Sequence, residues 1–70
     1  MMPLTFAEIG EENVVLKVGG NDEIRAHLAA LGFVVGARVT VVNSIDGNII
    51  VNVKESRLAL NKDMAKRVMV

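Results

Sequence analysis

The spacing of apolar residues divides this chain into one helix and several short strands. Ile24, Leu28 and Leu31 recur at intervals of four and three residues, which places them on one face of a helix near residues 22–31. Five other segments are rich in β-branched and aliphatic residues and are predicted to be strands: 14–18, 39–45, 49–53, 57–60 and 67–70. Short strands separated by turns favour a mainly β fold, a small and partly open barrel with one helix, over a parallel sheet.

The ends of the helix carry recognisable signals. Asn21 or Asp22 can accept hydrogen bonds from the free N–H groups of the first turn. Gly32 follows the last apolar residue and is predicted to adopt the left-handed conformation that ends many helices. In that ending, Phe33 contacts Leu28. Gly36 is then predicted to turn the chain before the next strand, because glycine tolerates a positive φ.

The turn around Asp46 and Gly47 can close a hairpin in two ways. A two-residue Asp-Gly loop is the stronger local signal, but it would place apolar residues opposite polar ones. A three-residue loop that includes Asn48 pairs Ile45 with Ile49 and keeps one face apolar. We therefore predict the three-residue loop, with Asn48 in the left-handed conformation.

Composition is consistent with one domain, residues 1–70, built around an aliphatic core. The chain has 70 residues, 51% of them hydrophobic, and no cysteine that could form a disulfide. Phe6 and Phe33 are its two aromatic residues. We expect the segment with Leu4, Phe6 and Ile9 to pack into the core.

Charge and hydropathy exclude several classes of function. Eight basic residues balance eight acidic ones, and they are scattered along the chain, which argues against nucleic-acid binding. No apolar segment approaches the roughly 20 residues that span a bilayer, and the N-terminus does not resemble a secretory signal. We therefore expect a cytoplasmic protein without membrane insertion.

The candidates for chemistry are few. Glu23 and His27 are four residues apart on the predicted helix and are the only metal-ligand candidates that stand out. A metal site needs three or four ligands, so we predict none from this pair alone. Ser44 and Ser56 have no evident general base. The sequence therefore predicts neither an enzyme nor a bound cofactor.

The glycines before the helix invite a second interpretation. Gly19, Gly20, Asn21 and Asp22 precede the helix, where a free N-terminus can bind an anion. The segment lacks the lysine of a phosphate-binding loop, and Asp22 and Glu23 would repel a phosphate. We interpret it as a turn and a helix cap.

Several of these features together resemble a known family. The residues that carry the resemblance are Leu28, Leu31-Gly32-Phe33, Gly36, Val39, Val41, Asp46-Gly47, Val51, Val53, Leu58-Ala59-Leu60, Ala65 and Val68-Met69-Val70. With them, the chain is similar to the ferrous iron transport protein A (FeoA) family and to the related C-terminal domain of iron-dependent repressors. The resemblance covers nearly the whole chain, from about residue 4 to residue 70.

The resemblance implies an SH3-like barrel with a helix inserted between its first two strands, and a function in bacterial ferrous iron uptake. The implied partner is the permease FeoB, with its cytosolic GTP-hydrolysing domain. We expect a protein–protein interaction module whose contact surface includes the helix and the following loop. The alternative is a regulatory barrel that binds a transition metal or a peptide. The candidate contact residues are Arg25, His27, Val34, Val35 and Arg38.

Self-association is a further expectation. Val42 and Ile50 are predicted to face outward from the hairpin, and small sheets leave strand edges unpaired. Pairing of strand edges between two copies is one solution.

Overall fold

A computed structural model describes residues 1–70 and contains six strands and two helices. The chain begins with a short 3-10 helix at Leu4–Phe6. The remaining elements follow in this order: β1 (Glu12–Val14), β2 (Lys17–Val18), α1 (Asp22–Leu31), β3 (Arg38–Ile45), β4 (Asn48–Val53), β5 (Ser56–Asn61), α2 (Lys62–Ala65) and β6 (Val68–Met69). None of the helices is long and apolar enough to cross a bilayer.

The strands form two antiparallel sheets. The larger sheet has the order β1-β3-β4-β5, and the smaller one pairs β2 with β6. The predicted mainly β fold is confirmed, but the segment 14–18 is divided between the two sheets. The chain passes from the larger sheet to the smaller one between β1 and β2, where Val15 is fully buried.

The core is a single cluster of aliphatic side chains with one phenylalanine. Its twelve buried members are Leu4, Val15, Leu28, Phe33, Val39, Val41, Ile49, Val51, Val53, Leu60, Ala65 and Val68. They come from both sheets and both helices, and no polar or charged side chain is buried with them. Burial of aliphatic area is therefore the main stabilising contribution inside the domain.

Both ends of α1 confirm the predicted signals. The Asn21 side chain accepts a 2.8 Å hydrogen bond from the N–H of Ile24. Gly32 has φ 109° and ψ 0°, and its N–H donates to the carbonyl of Ala29 at 3.0 Å. The N–H of Phe33 donates to the carbonyl of Leu28 at 3.0 Å, which completes the expected helix ending. Leu28 and Phe33 both lie in the core cluster.

The three-residue loop predicted for the β3–β4 hairpin is wrong. Ile45 pairs with Asn48, so the loop has two residues, and Asp46 and Gly47 have φ values of 49° and 81°. Positive φ at both positions is the geometry that an Asp-Gly loop favours. Asn48 is the first residue of β4 and does not adopt the left-handed conformation.

A β-bulge between Val41 and Asn43 reconciles this loop with the core. The extra residue, Val42, shifts the register so that Val41 pairs with Val51 and Val39 with Val53. Beyond the bulge the alternation is reversed, and Ile45 is 51% exposed instead of facing the core. Val42 and Ile50 are half-buried.

The N-terminal segment also differs from its prediction. Leu4 is fully buried, but Phe6 and Ile9 are 72% and 62% exposed. Residues 4–6 form a helical turn, in which the N–H groups of Phe6 and Ala7 donate to the carbonyls of Pro3 and Leu4. A turn directs neighbouring side chains apart, so only Leu4 reaches the core.

Candidate partner-binding surface

Helix α1 presents its polar residues to solvent because its apolar stripe faces the core. Leu28 is fully buried, and Ile24 and Leu31 are half-buried against the same cluster. Glu23, Arg25 and His27 are exposed. At about 100° per residue, Arg25 and His27 point to opposite sides of the helix, about 160° apart. One flat partner surface therefore contacts one of them rather than both.

Arg25 is engaged by a neighbour on its own helix. Its guanidinium forms an ion pair with the Asp22 carboxylate, and the two side chains are 53% and 94% exposed. Such solvent-exposed pairs contribute about 0–1 kcal/mol. The pair therefore biases the position of Arg25 without preventing it from binding another carboxylate.

Glu23 and His27 lie on adjacent turns of α1, as predicted, and both are exposed. No group of three or more His, Cys, Asp or Glu side chains lies close enough together to hold a metal ion. The pair would supply two ligands at most, and a complete site would need further ligands from another molecule.

The loop between α1 and β3 is a tight turn that exposes two valines. The N–H of Ala37 donates to the carbonyl of Val34 at 2.9 Å, and Gly36 has φ 90°, as a turn at this position requires. Val35 is 70% exposed and Val34 is 38% exposed. The predicted turn at Gly36 is therefore confirmed, and neither valine is fully buried.

Two apolar residues missed by the sequence analysis lie beside this turn. Val15 binds it through two 2.8 Å hydrogen bonds, from the N–H of Gly36 and to the carbonyl of Ala37. Its neighbours Val14 and Leu16 are 45% and 52% exposed. We call Val14, Leu16, Val34 and Val35 the valine-turn surface. The run Val14-Val15-Leu16 contained the signal, because an extended chain buries only alternate residues.

Arg38 lies at the edge of the valine-turn surface. It pairs with Val14 across β1 and β3, and its side chain is 76% exposed. The Arg38 Nε atom is 4.0 Å from Oε1 of Glu12, the limit of an ion pair. Arg38 therefore lies opposite Val14 and directly follows the exposed turn in sequence, whereas Arg25 and His27 lie on the flanks of α1.

Two antiparallel sheets closed over an aliphatic core, with one helix between β2 and β3 and no charged residue fully buried, define a small SH3-like barrel. Residues 2–70 match the family model described as the FeoA domain. The chain therefore belongs to the FeoA domain family, as its sequence indicated.

Individual relatives agree with this assignment. A protein from Methanocaldococcus jannaschii, provisionally named Fe(2+) transport protein A, is 31% identical over 70 residues, which is 100% of this chain and 85% of that protein. A crystal structure of an iron uptake regulatory protein (FeoA) has a TM-score of 0.87 at 33% identity, covering 96% of this chain and 89% of the other.

Two further structures extend the comparison. FeoA of Stenotrophomonas maltophilia, solved in complex with zinc, has a TM-score of 0.85 at 33% identity and covers 99% and 88% of the two chains. It is described as a prokaryotic SH3 domain protein and suggested to be a ferrous iron transport activating factor. A manganese-dependent transcriptional repressor shares only the fold, with a TM-score of 0.82 at 17% identity, over 94% of this chain and 38% of that one.

Proposed function

We propose that this domain is a cytoplasmic accessory protein of ferrous iron uptake that binds the cytosolic GTP-hydrolysing domain of the permease FeoB. The observation that carries the proposal is the valine-turn surface on a domain whose buried residues include no polar side chain. Because no polar or charged residue is fully buried, the groups that can contact a partner all belong to residues that reach the surface. Membership of the FeoA family is the reason for assigning the domain to ferrous iron transport.

The valine-turn surface has the chemistry of an interface centre. Full burial of a fully exposed valine or leucine contributes about 1.5–3 kcal/mol. The four side chains are 38–70% exposed, so each can contribute roughly half of that to the driving force for a moderate affinity. Arg38 at the edge is suited to orient an acidic partner surface, because rim charges affect encounter and orientation more than affinity. Arg25 or His27 would extend the contact along one flank of α1.

The experiment compares two substitutions that each add one carboxylate to an exposed apolar position. Val35→Glu changes the valine-turn surface, and Ile45→Glu changes the tip of the β3–β4 hairpin; the parent residues are 70% and 51% exposed. We expect Val35→Glu to weaken binding of the purified cytosolic domain of FeoB at least tenfold, measured by calorimetry. Ile45→Glu should bind as the parent domain does.

Two results would contradict the proposal. The first is a heat of binding between the parent domain and the cytosolic domain of FeoB that is no larger than the heat measured with an unrelated SH3-like domain. The second is equal weakening by Val35→Glu and Ile45→Glu, which would show that the valine-turn surface is not the contact.

A regulatory barrel that binds a metal remains the second candidate. It is supported by the adjacent Glu23 and His27 and by the zinc complex of the S. maltophilia relative. A zinc titration of the parent domain and of His27→Ala distinguishes this candidate from the first.

Self-association is compatible with either function. Strands β1 and β5 are the edges of the larger sheet, and each has one side without a neighbouring strand. Edge pairing would give a mass that rises from one to two copies with concentration in light scattering. A constant single-copy mass would exclude it over the range measured.

A further inference from the structure

A cleft on the smaller sheet lies outside the valine-turn surface and shares no residue with it. Its volume is about 380 Å³, which is within the size range of small-molecule sites. It opens between the loop that follows β2 and the turn that joins α2 to β6. Its lining residues are Met1, Lys17, Gly19, Gly20, Lys66, Arg67 and Met69.

The cleft concentrates positive charge on a chain that is neutral as a whole. Lys17, Lys66 and Arg67 contribute three cations, and no carboxylate lines the cleft. Lys66 Nζ is 3.4 Å from Oδ1 of Asp63, but both side chains are mostly exposed. This pair is weak enough to be exchanged for a ligand anion.

Arg67 is the fixed element of the cleft. Its carbonyl accepts a 2.8 Å hydrogen bond from the N–H of Gly19, and its own N–H donates to the carbonyl of Met64 at 3.1 Å. Its Nε atom is buried and has no hydrogen-bond partner. Because Nε is out of reach of solvent, an acceptor in the cleft can bond this guanidinium only through its terminal N–H groups, and no carboxylate lining the cleft neutralises its charge.

Gly20 lets the chain pass closely over this side chain. A Cβ atom there would lie 3.4 Å from Cδ of Arg67 and 2.9 Å from Cγ2 of Ile24. The bare backbone therefore keeps one wall of the cleft close to the Arg67 stem. The N-terminus of α1 is not the source of the site, because no residue of α1 lines the cleft.

We propose that this cleft binds the phosphate group of a small ligand. Three cations around one cavity match a phosphate dianion better than a carboxylate with a single charge, and the guanidinium fork suits its several oxygens. No aromatic side chain lines the cleft, so a nucleobase would gain no stacking there. The phosphate itself is therefore the recognised group, whether it is free or carried by a nucleotide.

The experiment is an NMR titration of the full chain at constant ionic strength with inorganic phosphate, pyrophosphate, ADP and hexaglutamate. We expect saturable shifts of the Gly19 and Gly20 amides with pyrophosphate, and an affinity for ADP within about fivefold of it. Arg67→Gln should weaken binding about tenfold or more. Arg57→Gln, which removes a cation outside the cleft, is the control and should stay within twofold of the parent.

The double variant Lys17→Gln/Lys66→Gln changes only exposed lysines and decides the result if Arg67→Gln does not fold. It should also weaken binding of pyrophosphate about tenfold or more. The proposal is overturned by shifts that do not saturate or that chloride reproduces, by equal weakening in Arg57→Gln, or by tighter binding of hexaglutamate than of pyrophosphate. ADP much tighter than pyrophosphate would overturn recognition through phosphate alone.

Discussion

Substitution of Gly32 tests how the helix, the β4–β5 turn and the core depend on one another. At φ 109°, an L-amino acid is strained by about 1–2 kcal/mol. Replacement by alanine also restricts the unfolded chain, which raises the free energy of unfolding by about 0.4–1 kcal/mol and partly offsets the strain. We therefore expect Gly32→Ala to lower the free energy of unfolding by about 1 kcal/mol, or Tm by roughly 5 °C for a domain of this size.

Valine at the same position adds a packing conflict. A Cβ atom on Gly32 would lie 3.5 Å from Cγ2 of Val53 and 3.4 Å from Cδ of Lys54, which is ordinary contact for alanine. The methyl groups of valine extend further, and Val53 is 1% exposed and cannot move aside easily. Overpacking of this kind costs about 1–3 kcal/mol more.

Gly36 provides the matched control. It has a similar φ of 90°, but an added Cβ would meet nothing within 4 Å. Thermal melts followed by circular dichroism should show a larger difference between the valine and alanine variants at position 32 than at position 36. Equal differences at the two positions, or an unchanged Tm for Gly32→Ala, would refute the reasoning.

Three further predictions test other parts of the fold and site. Asn21→Ala should destabilise the domain by about 1 kcal/mol because it removes the cap of α1, and Asn61→Ala should cost less because α2 has only four residues; denaturant titrations measure both. Glu55→Gly should raise Tm by a few degrees, because Glu55 has φ 64° in the β4–β5 turn and the strain relieved, about 1–2 kcal/mol, exceeds the roughly 0.4–1 kcal/mol lost through the freer unfolded chain; a lower Tm would mean that contacts of the glutamate side chain outweigh the strain. Zinc titration of the parent domain should reveal no stoichiometric site that depends on His27, because Glu23 and His27 provide only two ligands. A tight site that is present in the parent domain and lost in His27→Ala would favour the metal-binding alternative.

Features that depend on neighbouring residues were predictable from the sequence. The helix bounds, the ending at Gly32 and the turn at Gly36 all follow from local backbone preferences. The register of the β3–β4 hairpin was not predictable, because the Asp46-Gly47 loop preference conflicted with the alternation of apolar residues. A β-bulge satisfies both. One extra residue at Val42 lets the Asp46-Gly47 loop coexist with valine pairs in the core.

The cationic cleft was missed for a different reason. Strands β2 and β6 have two residues each, too few for any periodic pattern to appear. Their pairing places Lys17 opposite Met69, two residues from Arg67, although about 50 of the 70 residues lie between Lys17 and Arg67 in sequence. Read along the sequence alone, such basic residues look dispersed.

The pairing of β2 with β6 also determines when the domain can be completed. Hairpins β3–β4 and β4–β5 join residues that are close in sequence, so they can form while the rest of the chain is still disordered. The small sheet must instead close a loop of about 50 residues, which is entropically costly. During synthesis, the cleft around Arg67 therefore assembles only after the last strand has left the ribosome, and an anion bound there would favour the finished domain over any partly folded nascent chain.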